Sequence, residues 1–176
     1  MKKLICVLFI FVFCKTYGQN NTIETSGDIL YYSIPTATLT STLILKDKKG
    51  TFQFSKGLLL TGVVTTGLKY LIAKERPNGK NNLSFPSGHT STVFQSAAFI
   101  QKRYGWKYAI PVYVLSAYTG YSRIQSKNHD LVDVTAGAII GIGSAYLFTS
   151  RLEKNNIKTM FSVDKRNQNF MVYYTF

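Results

Sequence analysis

The chain is short of charge, of acidic residues, of cysteine and of histidine. Charged residues make up 16% of its 176 residues, against about 25% in an ordinary soluble domain, whereas 45% are hydrophobic. Eight acidic residues, two cysteines and two histidines do not cluster with metal-ligand spacing, so we expect no metal and no other cofactor. The composition indicates a membrane protein, although the mean hydropathy of +0.02 is low for one that crosses the bilayer repeatedly.

Basic residues are abundant, and the formal net charge is +13. A basic protein of this size could bind nucleic acid. However, the charges are spread over several segments and no nucleic-acid motif is present, so we expect no nucleic-acid partner.

The first 18 residues have the order of a signal peptide. Two lysines precede an apolar run over Leu4–Phe13. Small or turn-forming residues follow it, and the expected cleavage site is after Gly18. The run is short for a membrane span, which needs about 20 residues. An uncleaved first membrane helix is the alternative. Both Cys6 and Cys14 lie here, so a cleaved chain would need no disulfide.

Five apolar segments follow and predict an all-α fold, a transmembrane bundle of five spans, or six if the N-terminal segment is retained. We place this membrane domain at residues 19–150, with a basic tail at 151–176 that forms either a small hairpin or a flexible end. Gly137 and Gly141 predict a close helix contact. The segments are Ile29–Leu45, Ser55–Ala73, Pro86–Ile100, Tyr108–Tyr121 and Leu131–Thr149.

The loops between the segments assign the two sides of the membrane. With the N-terminus outside, the loops on the inner side are short and rich in lysine and arginine, as the positive-inside rule expects. Two outer loops break that rule, one around Arg76 and one around Arg123. An anionic ligand would explain basic residues on the outer side.

Three short stretches carry polar residues at the outer ends of these spans. The first contains Lys69 and Arg76, seven residues apart and followed by Pro77; on a helix they would share one face. Snorkelling of long basic side chains at the interface is the alternative explanation.

The second stretch, Phe85–Thr90, reads FPSGHT and begins a helix. Ser87 is a candidate N-cap, Gly88 lets a ligand approach the backbone, and the free N–H groups favour an anion beside His89. A plain capped helix with an exposed histidine is the alternative.

The third stretch contains Arg123, His129 and Asp133. Arg123 offers a planar fork of donors to phosphate oxygens. His129 and Asp133 are four residues apart, so on a helix the carboxylate would hold one ring nitrogen and leave the other free. A simple ion pair at a helix start is the alternative.

Together the three stretches predict one site for phosphoryl transfer that needs no metal. They supply three cations for an oxyanion, a histidine to attack phosphorus and a second histidine as acid. The residues alone leave open which histidine is the nucleophile.

The trio resembles the three motifs of the type 2 phosphatidic acid phosphatase (PAP2) superfamily. The matching elements are Lys69-x6-Arg76-Pro77, Pro86-Ser87-Gly88-His89 and Ser122-Arg123-x5-His129-x3-Asp133, in order and spacing. The resemblance implies that His129 attacks phosphorus, that Asp133 orients it, and that His89 protonates the leaving oxygen. It also implies that phosphate is bound by Lys69, Arg76, Ser87, Gly88 and Arg123.

We therefore expect a phosphatase that hydrolyses a lipid phosphate or diphosphate through a phosphohistidine, in a bacterial inner membrane with its site facing the periplasm. Undecaprenyl diphosphate, phosphatidylglycerol phosphate and lipid A phosphate are candidates among which the sequence does not choose. A lipid phosphotransferase and a non-catalytic anion-binding membrane protein are the alternatives. The sequence does not determine the oligomeric state.

Overall fold

A computed structural model of the chain describes residues 19–152, 158–164 and 167–173. The predicted signal peptide or first membrane helix, residues 1–18, lies outside the described residues.

Five helices form the bundle within the described ranges. Each overlaps one predicted apolar segment, so the helical fold is confirmed. The first two helices begin earlier than predicted, because their first turns are polar and an apolar segment marks only the rest of the helix. The helices are α1 (Gln19–Ile44), α2 (Lys48–Ile72), α3 (Gly88–Tyr104), α4 (Trp106–Gln125) and α5 (Leu131–Phe148).

Side-chain caps fix the starts of the two helices that carry the histidine motifs. The Ser87 hydroxyl accepts a hydrogen bond from the Thr90 amide at the start of α3. At the start of α5, Asp130 and Asp133 form a reciprocal capping box. These caps satisfy backbone donors that a helix start leaves unpaired. They fix the residues at which α3 and α5 begin, and both starts lie at one end of the bundle.

The central helix, α3, packs against all four others and most extensively against α5. The predicted small-residue contact is confirmed there. A Cβ on Gly137 would lie 2.6 Å from the Ser87 carbonyl oxygen, and one on Gly141 would lie 2.1 Å from the Ser91 carbonyl oxygen. Only glycine allows the two backbones to come so close.

The interior holds mainly small and hydroxyl-bearing residues around a core of Phe54 and Phe99, whereas many other large apolar side chains point outward. Thr38 and Thr61 are buried and donate to the carbonyl groups four residues earlier, each at 2.8 Å. These bonds satisfy the hydroxyl groups within their own helices. Polar residues can therefore be buried in the bundle, and they contribute to the low mean hydropathy. Exposed large residues include Leu43, Ile44, Leu59, Val63, Leu71, Ile110, Val114, Ile139 and Leu147. Among the described residues, α5 alone has the length and mean hydropathy of a membrane span.

A buried ion pair joins the chain at the end of the bundle opposite the helix starts of α3 and α5. The Asp47 carboxylate accepts from Arg103 Nε at 2.7 Å and from the Tyr104 hydroxyl at 2.9 Å. Arg103 also donates to the carbonyl groups of Ser150 and Arg151. Hydrogen bonding from Arg103 lowers the pKa of Asp47 to about 2. We call these five residues the inner cluster.

Two antiparallel strands, β1 (Lys158–Asp164) and β2 (Asn167–Tyr173), follow the bundle. Their register pairs Lys158 with Tyr173 and Asp164 with Asn167. The tail therefore forms the hairpin that was one of its two predicted alternatives.

Candidate active site

Contacts among the three motifs bring the eight predicted site residues together at one end of the bundle. The Ser87 amide donates to the Asp133 carbonyl group at 2.9 Å and so joins the second motif to the third. Gly88 lies against Lys69, whose methylene carbon would be 3.9 Å from an added Cβ. His89 and Arg123 share one partner, described below. The site is thus built from the ends of four helices and the loops between them.

The predicted shared helix face of Lys69 and Arg76 is wrong. The helix α2 ends at Ile72, and Ala73 takes a left-handed conformation with φ 46° while its amide bonds to the Lys69 carbonyl group. Arg76 therefore lies in the loop and not on the helix. Pro77 follows it, and a proline disfavours helical backbone angles in the preceding residue. Lys69 turns to the same loop and donates to the Leu83 carbonyl group at 2.6 Å.

His129 and Asp133 face each other, but not along one helix face as predicted. The helix α5 begins at Leu131, so His129 precedes it and Asp133 lies in its first turn. The distance from His129 Nδ1 to Asp133 Oδ2 is 3.6 Å, and neither side chain is more than 3% exposed. Nδ1 has no hydrogen-bond partner among the described residues. A small movement would let a protonated Nδ1 of His129 donate a hydrogen bond to the Asp133 carboxylate.

Asp133 is held by three further groups. Ser84 donates its hydroxyl proton to Oδ2, the Asp130 amide donates to the same oxygen at 3.1 Å, and Lys74 Nζ donates to Oδ1 at 2.8 Å. Lys74 also bonds to Asp130. Burial opposes the charge on Lys74, but these bonds outweigh it and raise its pKa. Asp133 is therefore fixed in position and charge.

The environment of His129 favours the neutral imidazole. Burial is the largest cause, and the charges of Lys69 and Arg76 add to it; the opposing effect of Asp133 is smaller. Together they lower the pKa of His129 to about 4. A neutral imidazole has a lone pair available for attack, and the same two cations are near enough to attract an anion to it.

Arg76 has donor capacity that the protein leaves unused. Its Nε is buried without a hydrogen-bond partner among the described residues, and its Nη1 reaches only the Asn128 side-chain oxygen, at 3.4 Å. Asn128 is held in turn by Asn78 at 2.9 Å and by Glu24 at 2.7 Å. An unpaired guanidinium donor in a basic site suits an oxyanion.

His89 and Arg123 both bond to one carboxylate oxygen of α1. Asp28 Oδ1 lies 3.0 Å from His89 Nε2 and 2.7 Å from Arg123 Nη1. The Arg123 side chain is 3% exposed, and it also donates to Ser122 Oγ and to the Glu24 carbonyl group. The N-terminal half of α1 thus forms part of the site.

Sequence reasoning missed five polar residues that hold the site together. Glu24 and Asp28 are spaced as one helix face, which was the available signal, but nothing in the sequence pointed that face toward Arg123. Ser84 and Asn128 carry no such signal. The missed residues are Glu24, Asp28, Lys74, Ser84 and Asn128.

Comparison with known proteins agrees with the three motifs. A family model described as the PAP2 superfamily matches residues 50–157. The lipid A 4'-phosphatase of Helicobacter pylori is 36% identical over 140 residues, covering 73% of this chain and 70% of that protein. The lipid A 1-phosphatase of Porphyromonas gingivalis is 37% identical over 89 residues, covering 49% of this chain and 20% of that protein.

A solved structure shares the fold. The crystal structure of Aquifex aeolicus LpxE superimposes with a TM-score of 0.64 at 21% identity, covering 73% of this chain and 83% of that chain. At this identity the likeness concerns the fold of the bundle.

Proposed function

Because the chain belongs to the PAP2 superfamily, a family of phosphatases, we propose that it hydrolyses a phosphate from a membrane lipid through a phosphohistidine on His129. It is a phosphoric monoester hydrolase of this family. The observation that carries the mechanism is the buried His129, whose Nδ1 lies 3.6 Å from Asp133 Oδ2 and whose pKa is lowered by burial and by the charges of Lys69 and Arg76.

The first half of the reaction transfers the phosphoryl group to the enzyme. Lys69, Arg76 and Arg123 bind the phosphate oxygens, with the backbone amide of Gly88 at the start of α3. Ser87, whose own amide is bonded to the Asp133 carbonyl group, holds that helix start beside the phosphate. The Nε2 lone pair of His129 attacks phosphorus, and the bond from phosphorus to the lipid oxygen breaks. His89 gives its proton to that oxygen, which leaves as the alcohol of the lipid.

The second half frees the enzyme. His89, now neutral, takes a proton from water as the water oxygen attacks phosphorus. The bond from phosphorus to His129 Nε2 breaks, and inorganic phosphate leaves. Asp133 accepts a hydrogen bond from Nδ1 and stabilises the charged ring of the intermediate.

The outward-facing apolar side chains support a membrane domain at residues 19–150. Water-soluble bundles bury such residues, whereas lipid accepts them. The central helix α3 is shielded by its neighbours and need not be apolar. We therefore propose five spans, in an inner membrane with the site at the periplasmic face. The basic residues at this end support that orientation, since they run against the positive-inside rule and an anionic ligand would account for them.

Two relatives whose names state lipid A phosphatase activity make a phosphate on lipid A the first substrate to test. The full chain, purified in detergent, is offered lipid A and a panel of other lipid phosphates and diphosphates with a chelator present, and free phosphate is measured. We expect metal-independent turnover that His129→Ala abolishes. Lys80→Ala, in an exposed part of the same basic loop, is the matched control and should keep full activity.

Several results would contradict the proposal. Equal activity in His129→Ala refutes the nucleophile, and inhibition by the chelator refutes the metal-free mechanism. Phosphate that appears on an added acceptor alcohol rather than in water supports a phosphotransferase. Phosphate binding without turnover of any lipid supports a non-catalytic protein.

A further inference from the structure

The geometry points to Asp28 as a positioning residue whose carboxylate competes with phosphate for Arg123 and His89. This inference rests on the proposed function. It assigns a role to a residue of α1, which lies outside the three motifs.

One carboxylate oxygen bridges the two groups that would have to act on the substrate. Asp28 Oδ1 bonds to Arg123 Nη1 at 2.7 Å and lies 3.0 Å from His89 Nε2. A phosphate oxygen in the proposed site would need the same two partners. A carboxylate and a phosphate are both anions, so they cannot both keep these bonds without strong repulsion.

Neighbouring residues of α1 hold the Asp28 carboxylate in position beside Arg123 and His89. The Glu24 carbonyl oxygen accepts from Arg123 Nη2 at 2.5 Å, and the Tyr31 ring lies 4.2 Å from the His89 ring, centroid to centroid. At Gly27, an added Cβ would meet Ser122 Oγ at 1.9 Å. The helix therefore approaches Arg123 as closely as a glycine allows.

Burial explains why a stand-in anion is useful. The Arg123 side chain is 3% exposed, whereas that of Asp28 is 44% exposed. Ser122 and the Glu24 carbonyl group give Arg123 hydrogen bonds but no opposite charge. A buried guanidinium without a counter-charge is costly, so the Asp28 carboxylate stabilises Arg123. The exposed carboxylate can turn to water when phosphate arrives, at little cost in solvation. When phosphate is the product, the returning carboxylate helps to displace it.

The test measures binding of inorganic phosphate to the full chain in detergent by titration calorimetry, together with steady-state kinetics on the same lipid substrate. For Asp28→Asn we expect phosphate to bind roughly fivefold to twentyfold more tightly, because one repelling charge is gone. Both KM and kcat should fall, since a competing anion that weakens ground-state binding and assists product release has been removed. Asp28→Glu should restore values near those of the wild type.

The matched control is Glu75→Gln. It removes the same charge from an exposed residue of the loop before Pro77, and none of the ion pairs among the described residues joins it to Arg123 or His89. Its phosphate affinity should change by less than about threefold, because an exposed charge is screened by water.

The signs of the effects separate the outcomes. If Asp28 only holds the Arg123 side chain in its binding orientation, then Asp28→Asn will bind phosphate more weakly than the wild type, and the inference is overturned. Unchanged affinity also overturns it. Asp28→Ser is a second neutral variant, to be measured if the asparagine variant does not fold. A wild type that neither turns over lipid phosphate nor binds phosphate overturns the proposed function and this inference with it.

Discussion

Gly137→Ala tests whether the contact between α3 and α5 sets the spacing of the two histidine motifs. An added Cβ would lie 2.6 Å from the Ser87 carbonyl oxygen and 3.3 Å from the Ser91 amide nitrogen. Both atoms belong to the backbone of α3, so neither can be relieved by a side-chain rotation. Ordinary contact begins at 3.4 Å, and the first of these gaps must therefore open by about 0.8 Å.

This displacement falls where the proposed reaction depends on it most. Gly137 lies one turn beyond Asp133, and Ser87 lies two residues before His89. A misplacement of about 1 Å between reacting groups can lower a rate about 100-fold. We expect kcat to fall by roughly 10- to 100-fold and the free energy of unfolding to fall by about 1–3 kcal/mol, as for other overpacked sites.

The assay compares phosphate release and thermal unfolding in detergent for Gly137→Ala and for Gly143→Ala. Gly143 is on the same helix with nothing within 4 Å of an added Cβ. Its substitution should leave kcat unchanged and could only add stability, by about 0.5–1 kcal/mol from helix propensity. If Gly137→Ala works as well as the wild type, or if both variants lose activity equally, the spacing argument is refuted.

Two further predictions concern pH and the inner cluster. The pKa of His129 is lowered to about 4 from about 6.5 in an unfolded chain. The free energy of unfolding should therefore decline as pH falls from about 6.5 to 4. Because attack needs the neutral imidazole, kcat/KM should fall on the acid side only near pH 4. Thermal unfolding at several pH values should show a smaller decline in His129→Gln; an equal decline would refute the assignment. Asp47→Asn leaves the Arg103 charge buried without its partner and should cost about 2–4 kcal/mol of stability. Measured per folded molecule, its phosphatase activity should equal that of the wild type, because the cluster is at the other end of the bundle; a specific loss of activity would contradict this.

The sequence was sufficient to predict a helical bundle and to group the eight motif residues at one end of it, and insufficient for the local geometry and for the residues that hold those eight in place. His89, His129 and the basic residues could be predicted because their types and spacing are tied to chemistry. The positions of Arg76 and His129 relative to the helices could not, because Ala73 and Asp130 end and begin helices through local backbone geometry that spacing does not reveal.

The partnership of α1 with the site was beyond prediction for another reason. Asp28 lies 61 residues from His89 and 95 residues from Arg123 in the sequence. A polar N-terminal part of a helix with two carboxylates is equally typical of a segment that faces water. Only the packing of α1 against α3 and α4 decides between the two.

The hydroxyl-lined interior has a consequence for biogenesis. A helix enters the membrane on its own when its side chains are apolar enough, and among the described helices α5 meets that condition. The helix that carries His89 is rich in buried serine, threonine and glutamine, so it cannot be expected to partition into lipid alone. In a membrane-embedded chain, α3 would have to enter the bilayer packed against its neighbours, most extensively against α5. The helix that carries His89 would thus be the one most dependent on its neighbours for reaching the membrane.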